Sequence, residues 1–316
     1  MVAKIPVILN VDTGVDDAFA ITLAAASEMI EILAITTSFG GNTVGQTTEN
    51  TLRIAELLGL DVPVAAGAAG PLIPQTHELL IGSAAQGEDG LGNKSGLLPY
   101  PVMEPAQAGA VEVMAEAVAS SGGGVVIVST CPLTNVAVFL LAHPSLKDKL
   151  DGVVFSGGAM FSGNVLPTVE ANVFADPEAA QIVLKSGVRL LICGLNATNG
   201  AYLTFEDRER FRIVDTVLSA FLREALIHYS DHYENLLLKD GPPLHDVVPV
   251  AWLIDPSSVK TEPFYVEIDL NGQYTRGATV MDVQRLWGKK SNAAVATEVD
   301  RGKVAGMIFE SLRKTR

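Results

Sequence analysis

Asn10-Val-Asp12-Thr-Gly14-Val-Asp16-Asp17 carries three carboxylates in six residues, where an apolar run gives way to an amphipathic stretch. Carboxylates held this close raise one another's pKa unless a cation neutralises them. The positive end of a following helix eases Asp16 and Asp17. A capped helix behind a tight turn at Gly14 explains one aspartate well and three poorly, so a metal site is the stronger reading. More polar residues stand where other apolar runs end: Gly40-Gly41-Asn42, Ser129-Thr130 ahead of Pro132, and Ser156-Gly157-Gly158. Each alone is an ordinary turn. In open α/β sheets, however, ligands bind beside the carboxyl ends of the strands, so these turns are expected to converge on Asp12. Asn164, Glu170 and Asn172 offer amides and a carboxylate suited to sugar hydroxyls, whereas Asp176 before Pro177 fits a helix N-cap. His245-Asp246 opens an apolar helical stretch. A cap and a satisfied core histidine are the plain alternatives for that pair.

The elements that must position these residues alternate. Segments 5–11, 32–39, 124–129, 152–156 and 188–194 are short, β-branched and bounded by turn formers, which predicts buried strands. Segments 17–27, 47–58, 106–119, 132–141 and 177–185 between them predict helices. The expected fold is α/β, with a mostly parallel central sheet and helices on both faces. Segment 67–105 is rich in Gly and Pro and is expected to run as a loop over the sheet. Segments 206–238 and 245–254 are expected to be helical. Segments 262–270 and 273–282 flank Asn271-Gly272, a hairpin signal, which adds a C-terminal β-hairpin. No repeat or linker divides the chain, so one domain over 1–316 is expected.

A net charge of −14 over 316 residues repels phosphate backbones and argues against nucleic acid as a partner. Cys131 and Cys193 lie far apart in apolar surroundings, which implies no disulfide framework. The apolar start of the chain is too short for a signal peptide and runs straight into Asp12, so a first strand is expected there. No uninterrupted apolar stretch reaches ~18 residues, so no transmembrane helix is expected. The cytoplasm is the expected location.

Taken in order, Asp12-Thr-Gly14-Val-Asp16-Asp17, Gly41-Asn42, Thr130-Cys-Pro132-Leu-Thr134-Asn135, Gly163-Asn164, Glu170-Ala-Asn172, Asp176-Pro-Glu-Ala-Ala180 and His245-Asp246 resemble the inosine–uridine-preferring nucleoside hydrolase family. The resemblance spans residues ~5 to ~256. It implies a Rossmann-like nucleoside hydrolase fold and hydrolysis of the N-glycosidic bond of ribonucleosides to ribose and free base. It also implies calcium bound by Asp12, Asp17, Asp246 and the backbone carbonyl of Thr130. With a bidentate Asp17, two ribose hydroxyls and a water, about eight oxygens would surround the ion, which suits Ca²⁺ better than octahedral Mg²⁺. By the same resemblance Asp12 takes a proton from a calcium-bound water. Asp16, Asn42 and Asn172 hold the ribose 2′- and 3′-hydroxyls, Asn164 and Glu170 hold the 5′-hydroxyl, and His245 is the acid for the leaving base. Glycosidic cleavage develops positive charge on the sugar and negative charge on the base, so carboxylates beside the one and a proton donor beside the other are what the chemistry needs. The implied partners are a small-molecule ribonucleoside and further copies of the chain, as a dimer or tetramer. The chain departs from the family pattern at Asn10, where Asp is common, at Gln86, where many members have His, and at Ser156, where Met is frequent.

Other classes fit less well. His228 and His232 share a helix face, but the Glu of a His-Glu-x-x-His zinc motif is missing, and a polar helix face or a mobile flap with Tyr229 and Tyr233 accounts for them. Gly90-Leu-Gly92 does not stand between a strand and a helix, as a dinucleotide fingerprint must. Cys131 has no histidine near it in sequence to activate a thiolate. A non-catalytic ribonucleoside-binding protein would sit on the same scaffold, but the retained Asp12, Asp17 and Asp246 speak against it. A hydrolase for a modified nucleoside stays compatible with the motifs.

Overall fold

The computed structural model describes residues 3–74, 85–237 and 241–315, without the side chains of 232–237. The side chains of His232 and Tyr233 and part of the expected loop at 67–105 therefore lie outside what is described.

The strands are β1 (Ile5–Val11), β2 (Ile30–Thr37), β3 (Val64–Ala66), β4 (Val125–Ser129), β5 (Leu150–Ser156), β6 (Leu190–Cys193), β7 (Val259–Phe264), β8 (Val266–Ile268), β9 (Thr279–Met281) and β10 (Ala293–Val299). Eight of them form one sheet in the order β3-β2-β1-β4-β5-β6-β10-β7, parallel except for β7, which runs against β10. Strand order reverses beside β1, which leaves a crevice at the carboxyl ends of β1 and β4, where α/β sheets bind ligands.

Strand periodicity sorts the core onto two faces. Val7, Leu9 and Val11 of β1 enter one apolar cluster while Ile8 enters the other. Val126 and Val128 of β4 join the first, and Val125 and Ile127 the second. The first face is covered by α1 (Val15–Ala26), α9 (Val217–Leu237), α10 (Val247–Ile254) and α11 (Arg301–Lys314), the second by α3 (Ala110–Ser120), α4 (Thr134–Ala142) and α6 (Pro177–Leu184). This is the two-faced α/β sheet that the alternation predicts. No described helix is long and apolar enough to cross a membrane.

Three local expectations change. Segment 206–238 is not one helix. It forms α8 (Phe205–Arg210), a 3-10 turn at Phe211–Ile213, and α9. The restart has a cause: Thr216 Oγ1 accepts the Ser219 N–H at 3.1 Å, an N-terminal cap. The C-terminal hairpin is present as β8–β9, but Asn271-Gly272 is not a two-residue turn. Asp269 folds the connection instead, accepting from Asn271 N, Gly272 N and Thr275 Oγ1. Glu262–Phe264 pair with β10 rather than entering the hairpin.

Candidate active site

A cavity of about 640 Å³ opens at the carboxyl ends of β1, β2, β4, β5 and β6, and Asp12, Asp16, Asp17, Asn42, Thr130, Asn164, Glu170, Asn172, His245 and Asp246 all line it. The turn after β1 sets the floor. Asp17 Oδ2 accepts from Gly14 N at 3.0 Å, and Asp17 Oδ1 accepts from Thr130 Oγ1 at 2.5 Å, which ties the start of α1 to the end of β4. Asp12 Oδ2 accepts from Gly41 N at 2.6 Å in the turn beyond β2.

Oxygens of Asp16, Asp17 and Asp246 all lie within 4.8 Å of one another, a spacing able to hold a metal ion. Asp12 is not one of these three, although its charge acts on both Asp17 and Asp246. Among the described residues, neither His nor Cys belongs to such a group. The Thr130 carbonyl accepts from Asn172 Nδ2 at 2.8 Å, and the same amide also reaches the Ser156 carbonyl at 3.1 Å. Asn172 thus spends both N–H groups on backbone and keeps its carbonyl oxygen for another partner. Asn42 donates to the Glu88 carbonyl and accepts from Thr43 N. Glu170 caps the short helix α5 (Ala171–Ala175), accepting from Asn172 N, Val173 N and Gly158 N. Asn164 Oδ1 accepts from Ala171 N at 3.0 Å. His245 Nδ1 hydrogen-bonds Thr198 Oγ1 at 2.8 Å, on α7 (Leu195–Thr198).

No Lys or Arg is among the described residues lining the cavity, so no cationic side chain among them offsets this charge. Burial first, then the neighbouring carboxylates, drive the pKa values up: Asp12 to about 7, with Asp17 and Asp246 well above the usual carboxylate range. Burial also raises Glu170 in spite of its N–H donors. A carboxylate with a raised folded pKa stabilises the fold fully below its unfolded value of 3.8, and loses that contribution as pH rises through the folded value, about 7 for Asp12. Chelated protein is therefore expected to melt at steadily lower temperature from about pH 5 to about pH 8, by roughly 1.4 kcal/mol per pH unit for each proton retained. A flat or rising melting curve over that window would contradict it.

Comparison with known proteins settles the lineage. The model of the family described as inosine-uridine preferring nucleoside hydrolase matches residues 7–305. This chain belongs to that family. The nucleoside hydrolase is 40% identical over 311 residues to a pyrimidine-specific ribonucleoside hydrolase of Escherichia coli, covering 98% of each chain. Its fold is similar to that of a purine-preferring ribonucleoside hydrolase from Gardnerella vaginalis, with a TM-score of 0.90, 32% identity, and coverage of 97% of this chain and 98% of that one. A plant nucleoside hydrolase also matches, with a TM-score of 0.90, 30% identity, and coverage of 98% and 99%. The enzyme hydrolyses ribonucleosides to ribose and free base.

Some roles in this nucleoside hydrolase are not specified by its motifs. Asn10 lies wholly beneath the site, donating to Ser129 Oγ and Cys131 Sγ and accepting from Thr36 Oγ1 and Asn135 Nδ2. The neighbouring Cys131 is buried, and burial with the Asp12 and Asp17 charges pushes its thiol pKa up, which argues against a nucleophilic role. Thr198 and Tyr229 join the cavity wall, the former on His245. Gly40 has a steric duty, since a Cβ there would lie 2.0 Å from Asp12 Oδ2. Gly40→Ala is expected to displace that carboxylate and lower kcat by about 10²-fold, the loss typical of a ~1 Å misplacement. Steady-state kinetics check it, and an unchanged kcat would show that the Asp12 position is not critical.

Proposed function

We propose that this nucleoside hydrolase acts on pyrimidine ribonucleosides with calcium held by Asp12, Asp17, Asp246 and the Thr130 carbonyl. The observation that carries the metal is the acidic floor, where Asp12, Asp16, Asp17 and Asp246 face one cavity without a Lys or Arg among its described lining residues. The donors are all oxygens, which fit a hard cation, and their number with a sugar diol suits calcium. The Thr130 carbonyl has a second lone pair beyond the one that Asn172 occupies. When bound, the ion supplies the positive charge that the carboxylates lack and a fixed point for the sugar diol beside the attacking water.

The chain's own groups do the rest. Asp12 receives the water's proton, with Gly41 N holding the carboxylate in place. Asp16, Asn42 and Asn172 grip the 2′- and 3′-hydroxyls, and Asn164 and Glu170 take the 5′-hydroxyl. His245, steadied by Thr198, donates to the departing base. Pyrimidine preference is carried over from the relative at 40% identity, against the purine-preferring structural neighbour at 32%. The same reading includes a homo-oligomer, dimer or tetramer, which exposed Tyr274, Leu286 and Trp287 suit and sedimentation would test. It also includes a cytoplasmic location, which two buried, unpaired thiols suit.

Reducing-sugar release from uridine, cytidine and inosine, with and without chelator, tests this function. Both pyrimidine nucleosides are expected to turn over faster than inosine, chelator to stop turnover, and added calcium to restore it. Full activity in chelator would overturn the metal, and faster inosine cleavage would reverse the base preference.

A further inference from the structure

Gln86 stands 70 residues from Asp16 in sequence, yet its Nε2 donates to Asp16 Oδ1 at 2.9 Å while its Oε1 accepts from Val15 N at 2.7 Å. One amide thus grips both the backbone of the first turn of α1 and the side chain of the next residue. The fit is tight: a Cβ on Gly14 would come within 2.7 Å of Gln86 Oε1. The segment that carries Gln86 is itself braced. α2 (Val44–Leu57) anchors it through Asn50 Nδ2 on the Asp89 carbonyl, and Asn42, just ahead of that helix, adds its bond to the Glu88 carbonyl. Asp89 gathers N–H groups from Leu91, Asn93 and Ser95, and Gly92 N closes back on the Gln86 carbonyl at 2.7 Å.

We infer that Gln86 is a positioning residue that presents Asp16 to the ribose and withholds one of its oxygens from the metal. The inference rests on the assignment of Asp16 to the sugar. The oxygens of Asp16, Asp17 and Asp246 lie close enough for one ion to draw in all three. Without that amide Asp16 would keep its side-chain hydrogen bond to Asp246 and be drawn onto the cation beside it, away from the sugar. A neutral amide prevents that without cancelling the charge, so the carboxylate keeps acceptor capacity for a hydroxyl. A cationic partner would instead neutralise it.

The test is a double-mutant cycle on uridine hydrolysis, together with calorimetric titration of calcium into the chelated, dialysed protein. Gln86→Met is expected to lower kcat/KM by about 10- to 100-fold, and to lower it by less than about threefold when Asp16→Asn is already present, because both changes remove one interaction. Calcium affinity is expected to stay equal or to tighten. Gln86→Glu keeps the size and the acceptor for Val15 N but sets a charge against Asp16, so it reports on the N–H donor even if the Met variant folds poorly. It too is expected to lose activity. Parent-like activity in either variant, full additivity with Asp16→Asn, or a weakened calcium site would each overturn the role. If Asp16→Asn itself leaves uridine hydrolysis intact, the sugar assignment of Asp16 falls first, and the Gln86 role falls with it.

Discussion

Uridine is expected to be hydrolysed about 10⁴–10⁵ times faster than 2′-deoxyuridine, in kcat/KM. The expectation comes from what the cavity floor lacks when one hydroxyl is missing. Asp16 is buried and fixed by the Gln86 amide, so it cannot swing away to find another donor. Asn42 is likewise committed on one N–H and on its carbonyl oxygen. A deoxyribose leaves these groups facing a gap, and a bound cation loses an oxygen from its shell. An unsatisfied buried acceptor costs about 1–3 kcal/mol, more when charged. Several acting together reach the roughly 5–7 kcal/mol that such a ratio requires. Rates on the two substrates under identical calcium measure it directly. A ratio below about tenfold would mean that the diol is not what the acidic floor recognises.

The polar residues at strand ends were legible because a parallel sheet brings all its carboxyl ends to one side. Once β1, β2, β4 and β5 are recognised as strands, Asp12, Asn42, Thr130 and the Ser156 turn must meet. What stayed hidden was decided by partners distant in sequence. Ala293–Val299 is rich in alanine, which favours helices, and becomes β10 only because β6 and β7 flank it. Val64–Ala66 is too short to declare itself and depends on β2. Asn271-Gly272 looks like a tight turn until the Asp269 carboxylate competes for its N–H groups. Within the site, Gln86 read only as a departure from a histidine, and its hold on Asp16 is a loop contact that no local pattern encodes. Thr198 on His245 belongs to the same class. The acidic cluster itself drew attention to a metal, but which carboxylates sit closest together depended on side-chain directions at the start of α1, and there Asp16 joins Asp17 and Asp246.

Asp12 and His245 are expected to separate when the leaving group is varied. Asp12→Asn removes the proposed proton acceptor for water, which every substrate needs, so turnover should fall by about 10²–10⁴-fold for uridine and for a nitrophenyl riboside alike. The asparagine can still accept from Gly41 N, so the turn beyond β2 need not move. The measurement is made at saturating calcium, confirmed by titration of the variant, because the same carboxylate is proposed to hold the ion. His245→Ala removes the proposed proton donor for the base, and bases differ in how much they need one. Uridine should slow by a comparable factor, while the nitrophenyl riboside should stay within about threefold of the parent, because an anion of low pKa departs without a proton. Thr198→Val tests the support beneath the histidine: it removes the 2.8 Å bond to the imidazole, and the uridine rate should fall while the nitrophenyl rate holds. Equal losses on both substrates in His245→Ala would make the histidine a sugar-positioning group. The proton would then come from elsewhere in the wall, where the buried Tyr229 is the described side chain with an ionisable hydroxyl. The two outcomes differ in one ratio, uridine rate over nitrophenyl rate, which Asp12→Asn leaves unchanged and the loss of a true acid must lower.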